Sequence, residues 1–374
     1  MKKILSLLMA LLCCMLFPAM TVYSEYDYDD TLSSLLESSG AGDLLQNNDF
    51  VPENADISDT SALTEMTFTG FIRKVWNMAV DEIQLPMKTL SLCMGVIILS
   101  AMASGLQGGN GKIRAVYEVI CILCASGIVA EPVTNALISS SGILENSADF
   151  MLAFSGIFAG ILTVSGGMTT ATVYQSSIVA LCEIAMHTAT KLLIPLLRMC
   201  FAMSIVDAVN PAVSLEGIIQ LIQKVTAWIL GLMMAVFLGM LTVQSLVAVS
   251  ADRAGTKAAK YVISGAVPII GGAVSDAYTA VLGSMGVLRS GVGMLGILAL
   301  CSLFMPALVK LGIYRLLMAI SSAVSGLFVA DGLTRFFKNM ESILAMGFSV
   351  AVSFSVMFIF SAAAVLLISG TLSP

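Results

Sequence analysis

Eight stretches of the chain are dominated by apolar residues: 89–106, 115–130, 150–167, 177–198, 227–249, 291–309, 312–330 and 343–369. Each comes close to the ~20 residues an α-helix needs to cross the hydrocarbon core of a bilayer. Apolarity on every helical face marks a helix whose solvent is lipid or protein, not water. The pattern predicts an all-α fold: a polytopic transmembrane helical bundle of about seven to eight spans. The count turns on 291–330, which is nearly continuous and holds Pro306, Lys310 and Arg315. It is either two spans with a tight turn or one long bent element.

The polar positions divide the rest. Residues 1–24 have the form of a secretory signal peptide, with Lys2 and Lys3, then Ile4 to Phe17, then Pro18, and cleavage expected before Glu25. Residues 25–63 form an acidic extracytoplasmic segment that cannot bury enough apolar area to offset chain entropy, so disorder is expected. Leu32, Leu35, Leu36, Leu44 and Leu45 could make a short amphipathic helix within it, either transient or a docking peptide. Residues 64–88 bring Phe68, Phe71, Ile72, Val75, Trp76 and Met78 to helical spacing beside Arg73, Lys74, Asp81 and Glu82, the pattern of an amphipathic helix lying in the lipid interface. Pro86 should end that helix, leaving 89–370 as the transmembrane domain.

Between spans, 131–149 and 208–226 are amphipathic and are expected along the outer membrane surface. In 264–290, Gly265, Pro268, Gly271, Gly272, Gly283 and Gly286 interrupt an apolar run containing Asp276, which suggests a re-entrant hairpin or an interfacial helical pair. The bases Lys112 and Arg114, then Arg253, Lys257, Lys260 and Arg289, then Arg335 and Lys338 would mark cytoplasmic loops. The localisation expected is a multi-pass cell-membrane protein with its N-terminal segment outside the cytoplasm.

Composition agrees: 58% of residues are hydrophobic and 11% charged, where soluble chains carry about 25% charged residues. The net charge of -6 is local, because residues 25–70 hold 11 acidic residues and no base, leaving 13 acids against all 18 Lys and Arg. No basic stripe with aromatic platforms argues for nucleic acid. Of 8 cysteines, Cys13 and Cys14 fall in the signal and the rest in apolar stretches, so Cys121 and Cys124 read as buried inert thiols despite their C-x-x-C spacing.

Catalytic constellations are missing. The single histidine, His187, rules out a multi-histidine metal site, and neither a phosphate-binding loop nor a G-x-S-x-G turn is present. No enzyme activity, cofactor or metal is expected. The most polar span holds Glu183, His187 and Lys191 at four-residue spacing, within about 80° on one helix face. Such groups are costly in lipid and usually face the bundle interior or water. They form either the lining of a conduit or a self-satisfied ladder that orients the helix or meets a neighbouring subunit. Glu118 reads as interfacial, Gln244 as an interhelical bonding group, and Gly156 with Gly160 as a G-x-x-x-G packing motif.

The run VQSLVAVSADRAGTKAAKYVISGAVPIIGGAVSDAYTAVLGSMGVLRSGVGMLG resembles the stage III sporulation protein AE family of endospore-forming bacteria. The matching positions are Gln244, Asp252, Lys260, Pro268, Gly271, Asp276, Gly293 and Gly296, while Arg289 stands where the family pattern carries a lysine. The resemblance covers about 85–370, and the acidic segment does not match in detail. It implies a polytopic subunit of a channel-like, secretion-like complex in the mother-cell membrane around the forespore, needed for late forespore development. Partners implied are a cytoplasmic ATPase, ring-forming subunits and a forespore-membrane protein, with homo-oligomerisation open. The alternatives are an autonomous secondary transporter and a purely structural membrane scaffold. The transporter reading lacks a second broken region to pair with 264–290.

Overall fold

The computed structural model describes Arg73, 76–78, 80 and then 82–106, 111–164, 168–209, 215–266, 271–328 and 331–372; within these, 103–115, 161, 164, 243–292, 294–295 and 364–372 are described by backbone alone. The expected signal, the acidic segment and Pro268 lie outside the described residues. The elements are α1 (Gln84–Leu106), α2 (Gly111–Val164), α3 (Met168–Met186), a π-helical turn (His187–Leu193), α4 (Ile194–Val209), α5 (Glu216–Ala266), α6 (Gly271–Leu327) and α7 (Asp331–Leu372). No strand occurs among the described residues.

Six helical segments are long and apolar enough to cross a membrane: Gln84–Met102, Val116–Gly160, Met168–Val209, Glu216–Thr242, Gly296–Leu327 and Asp331–Ala363. One expected pair of spans, 115–130 and 150–167, has fused, and of the two alternatives at 291–330 the single long element holds. Residues 131–149 do not leave the bundle for the membrane surface; they form the middle of α2, which runs unbroken through Pro132. The physical reason lies in their facing. Glu131, Asn135, Glu145, Asn146 and Asp149 point outward while Val133, Ala136, Leu137, Leu144 and Ala148 stay buried, so the helical period never lapses. Residues 291–327 all lie in α6, with Lys310 and Arg315 half-buried along a helix that also accommodates Pro306.

Two apolar cores are stacked along the bundle. One gathers Cys93, Ile97, Ile122, Leu137, Leu197, Cys200, Leu317, Phe336 and Met340 from α1, α2, α4, α6 and α7. The other gathers Phe154, Phe158, Tyr174, Leu193, Phe237, Phe304 and Phe358 from α2, α3, α5, α6 and α7, with the π-turn. In lipid no hydrophobic force drives helix against helix, so close packing must do it. Gly296 meets the Phe154 ring so closely that a Cβ there would collide with it. At Gly347 a Cβ would come within 3.0 Å of Leu137. Gly156 and Gly160 differ: nothing lies within 4 Å of a Cβ at either, so the expected G-x-x-x-G packing is not made within this chain.

The chain order defines two ends. The start of α2, the end of α4, the start of α5 and the α6–α7 turn share one end, because Glu118 bonds Gly332 and Asp207 bonds Leu215 and Asn339. Met168, Thr242 and Gly296 approach the other, beside Phe154, Leu162 and Leu241. Residues 243–295 therefore connect at the end opposite Lys112 and Arg114. This overturns the grouping of Arg253, Lys257, Lys260 and Arg289 with the other basic loops, and the placing of 208–226 on the side opposite 111–118. Bases stand at both ends. Of the 264–290 region expected as a re-entrant hairpin or a helical pair, 264–266 end α5 and 271–290 begin α6, both as regular helix. At the other boundary, the chain turns at Ile83 and Pro86 sits in the first turn of α1, where a missing N–H costs little.

Candidate functional site: an outward charged waist and a buried polar seam

Glu183, His187 and Lys191 do share one face, and that face points outward. Glu183 Oε1 lies 3.8 Å from His187 Nδ1, with 74% of the Glu183 side chain and 70% of the His187 side chain exposed. Lys191 and, further on, Arg198 are exposed as well. The helix widens to π geometry from His187 to Leu193, which shifts the register of everything after it and leaves Leu193 and Ala189 in the core. On the antiparallel neighbour α2, Asp149 comes within electrostatic reach of Cys182, next to Glu183. Glu145, Asn146 and Asp149 of α2 are exposed too, and the outward Glu183, His187 and Lys191 form what we term the charged waist. In this chain the triad lines no interior.

The interior polar groups are elsewhere, and sequence reading did not select them. Most serines and threonines spend their hydroxyl on their own helix: Ser140 donates to the Ala136 carbonyl at 2.8 Å, Ser147 to Ile143 at 2.7 Å and Ser177 to Val173 at 2.7 Å. Where α4, α5 and α7 meet, a different arrangement holds. Asp207, 2% exposed, accepts from the Leu215 backbone N–H through Oδ1 at 2.7 Å, and its Oδ2 lies 3.5 Å from Asn339 Nδ2. Ser342 donates to Gln223 Oε1 at 3.1 Å. Each helix contributes a pair at three-residue spacing, Ser204 with Asp207, Gln223 with Thr226 and Asn339 with Ser342, so each pair sits on one face. The hydroxyls of Ser204 and Thr226 and the amide nitrogen of Gln223 are buried without a partner. The signal for this seam was faint: Asp207 is a lone acid among apolar neighbours, and Asn339 is one polar residue beside Lys338 and Glu341.

Two acidic residues also act as caps across helices. Glu118, expected at the lipid interface, instead accepts from the Gly332 N–H at 2.7 Å, satisfying one orphan donor at the start of α7. A Cβ at Gly332 would come within 2.8 Å of that carboxylate and 2.7 Å of Ile122, so glycine admits the contact. Asp207 does the same for the approach to α5. The cysteines split: Cys93, Cys121, Cys182, Cys200 and Cys301 are buried and free, but Cys124 faces outward, correcting its expected burial. Of the family-matching positions, Gly293 and Gly296 are buried in the second core region; the side chains of Gln244, Asp252, Lys260, Gly271 and Asp276 lie outside the described ones.

No solved structure matches the chain. A protein of Bacillus subtilis (strain 168) named stage III sporulation protein AE is 24% identical over 215 residues, covering 56% of this chain and 53% of that protein. The matched stretch spans about half the length of that relative. The family model for stage III sporulation protein AE matches residues 56–370, which takes in all six apolar helices as well as the waist and the seam. On that match the chain belongs to the stage III sporulation protein AE family.

Proposed function

We propose that this chain is the large polytopic membrane subunit of a channel-like sporulation complex joining mother cell and forespore. Its role there is to hold other subunits in register around a conduit, not to catalyse a reaction. The observation that carries this reading is the charged waist. Glu183, His187 and Lys191 sit outward on a helix otherwise dressed with Val179, Ile184, Leu192 and Met199. Charges at that depth are costly against acyl chains, roughly 2.5–3.5 kcal/mol each on insertion scales. A neighbouring subunit or a water-filled space offsets the cost. The partners are those the resemblance implies: a cytoplasmic ATPase, ring-forming subunits and a forespore-membrane protein, with further copies of this chain as another neighbour.

The test is to express Glu183→Leu/Lys191→Leu in sporulating cells and compare both assembly and spore yield with the parent chain. The account expects the variant to reach the membrane folded but to lose co-purification with the complex and to lower spore yield. Normal assembly and normal spores would remove the waist from the mechanism. A second reading, an autonomous secondary transporter, draws on the buried seam at Asp207. Purified chain in sealed vesicles that accumulates a solute against its gradient would favour it.

A further inference from the structure

We propose that the end of α4 binds one small monovalent alkali cation between Asp207 and Ser204. Three independent features converge there. First, the Asp207 carboxylate is 2% exposed, and no described basic side chain comes within ion-pair distance of it. Its Oδ1 is occupied by the Leu215 N–H, whereas among the described residues Oδ2 has only the long 3.5 Å approach of Asn339. Second, Ser204 stands three residues earlier on the same face, fully buried, and withholds its hydroxyl from the helix backbone, unlike Ser140, Ser147 and Ser177. Third, both residues occupy the last turns of α4, which ends at Val209. The final carbonyls of a helix lack intrahelical donors and form its negative pole, a setting that favours a cation and disfavours an anion.

The donor chemistry selects the ion. Carboxylate, hydroxyl and carbonyl oxygens are hard ligands, suited to alkali and alkaline-earth cations and not to soft metals. A single carboxylate neutralises one charge, so a divalent ion would leave a buried surplus. Gln223 Nε2, a donor, and Thr226 Oγ1 of α5 are also buried without partners, polar groups that suit water within the seam. The site stands apart from the assembly role proposed above.

The test uses the full chain in detergent, with melting followed through its 2 tryptophans, Trp76 and Trp228. Sodium chloride is titrated against choline chloride at constant ionic strength, with potassium and magnesium as further arms. Sodium or potassium should raise the Tm saturably, and choline should not. Ser204→Ala, which keeps the Asp207 contact with Leu215, should require roughly tenfold more cation for half-saturation. Asp207→Asn, which keeps an acceptor for Leu215, should abolish the shift. Coinciding sodium and choline curves would overturn the proposal. So would a rise with magnesium alone, or a sodium shift unchanged in Ser204→Ala. Should Asp207→Asn fail to fold, the serine variant still decides.

Discussion

At the scale of single residues, the polar groups of this bundle fall into three uses: self-satisfaction, capping and display. Hydroxyls that bond their own helix can be read in sequence only as "small polar residue in a span". Nothing in a lone Ser distinguishes Ser140, which bonds Ala136, from Ser204, which does not. Glu118 illustrates the same gap, because its role depends on Gly332, distant in sequence. Glu118→Ala should destabilise the chain by about 1 kcal/mol through the lost cap on α7, and Glu118→Gln should largely retain it; thermal melting in detergent checks both. Glycines give a sharper contrast. Gly296→Ala drives a methyl into the Phe154 ring and should cost about 1–3 kcal/mol. Gly156→Ala meets nothing within 4 Å and should be near neutral in the folded chain. Equal melting of the two variants would contradict the packing at Gly296.

At the scale of elements, hydropathy identified helices well and their junctions poorly. Apolar stretches 115–130 and 150–167 are both helical, yet the polar residues between them suggested a surface connection. A run such as Glu145, Asn146 and Asp149 lowers mean hydropathy whether it leaves the bundle or merely faces outward. Only the phase of Leu144 and Ala148, buried on the opposite face, tells these apart, and phase is weak evidence over so few turns. The triad at Glu183 was legible as one face, but its direction was not, because the π-turn that follows has no reliable sequence signature. A continuous α2 has a measurable consequence. Spin labels at Tyr117 and Gly160, both exposed, should stand about 65 Å apart. A surface connection at 131–149 that turns the chain back would bring them much closer, and a short distance would refute the single helix.

At the scale of the whole molecule, the all-α membrane character and the family were legible early, since 58% hydrophobic residues and the 244–296 run carry them. Sidedness was not. Positive charge orients short loops, but here bases occupy both ends of the bundle, so counting them could not choose. The stacked cores explain why the helices exceed a simple span: α2 has 54 residues, about 81 Å, against a hydrocarbon thickness of about 30 Å. Such a body crosses lipid over part of its length and extends beyond it, which leaves room for the waist to meet protein or water.

The most direct measurement is single-cysteine labelling from each side of the membrane, in a chain whose native cysteines are replaced, at the exposed positions Tyr117, Glu216, Asp331, Met168 and Thr242. The account predicts that Tyr117, Glu216 and Asp331 label from one side and that Met168 and Thr242 label from the other. Glu216 reacting together with Met168, on the side opposite Tyr117, would contradict it.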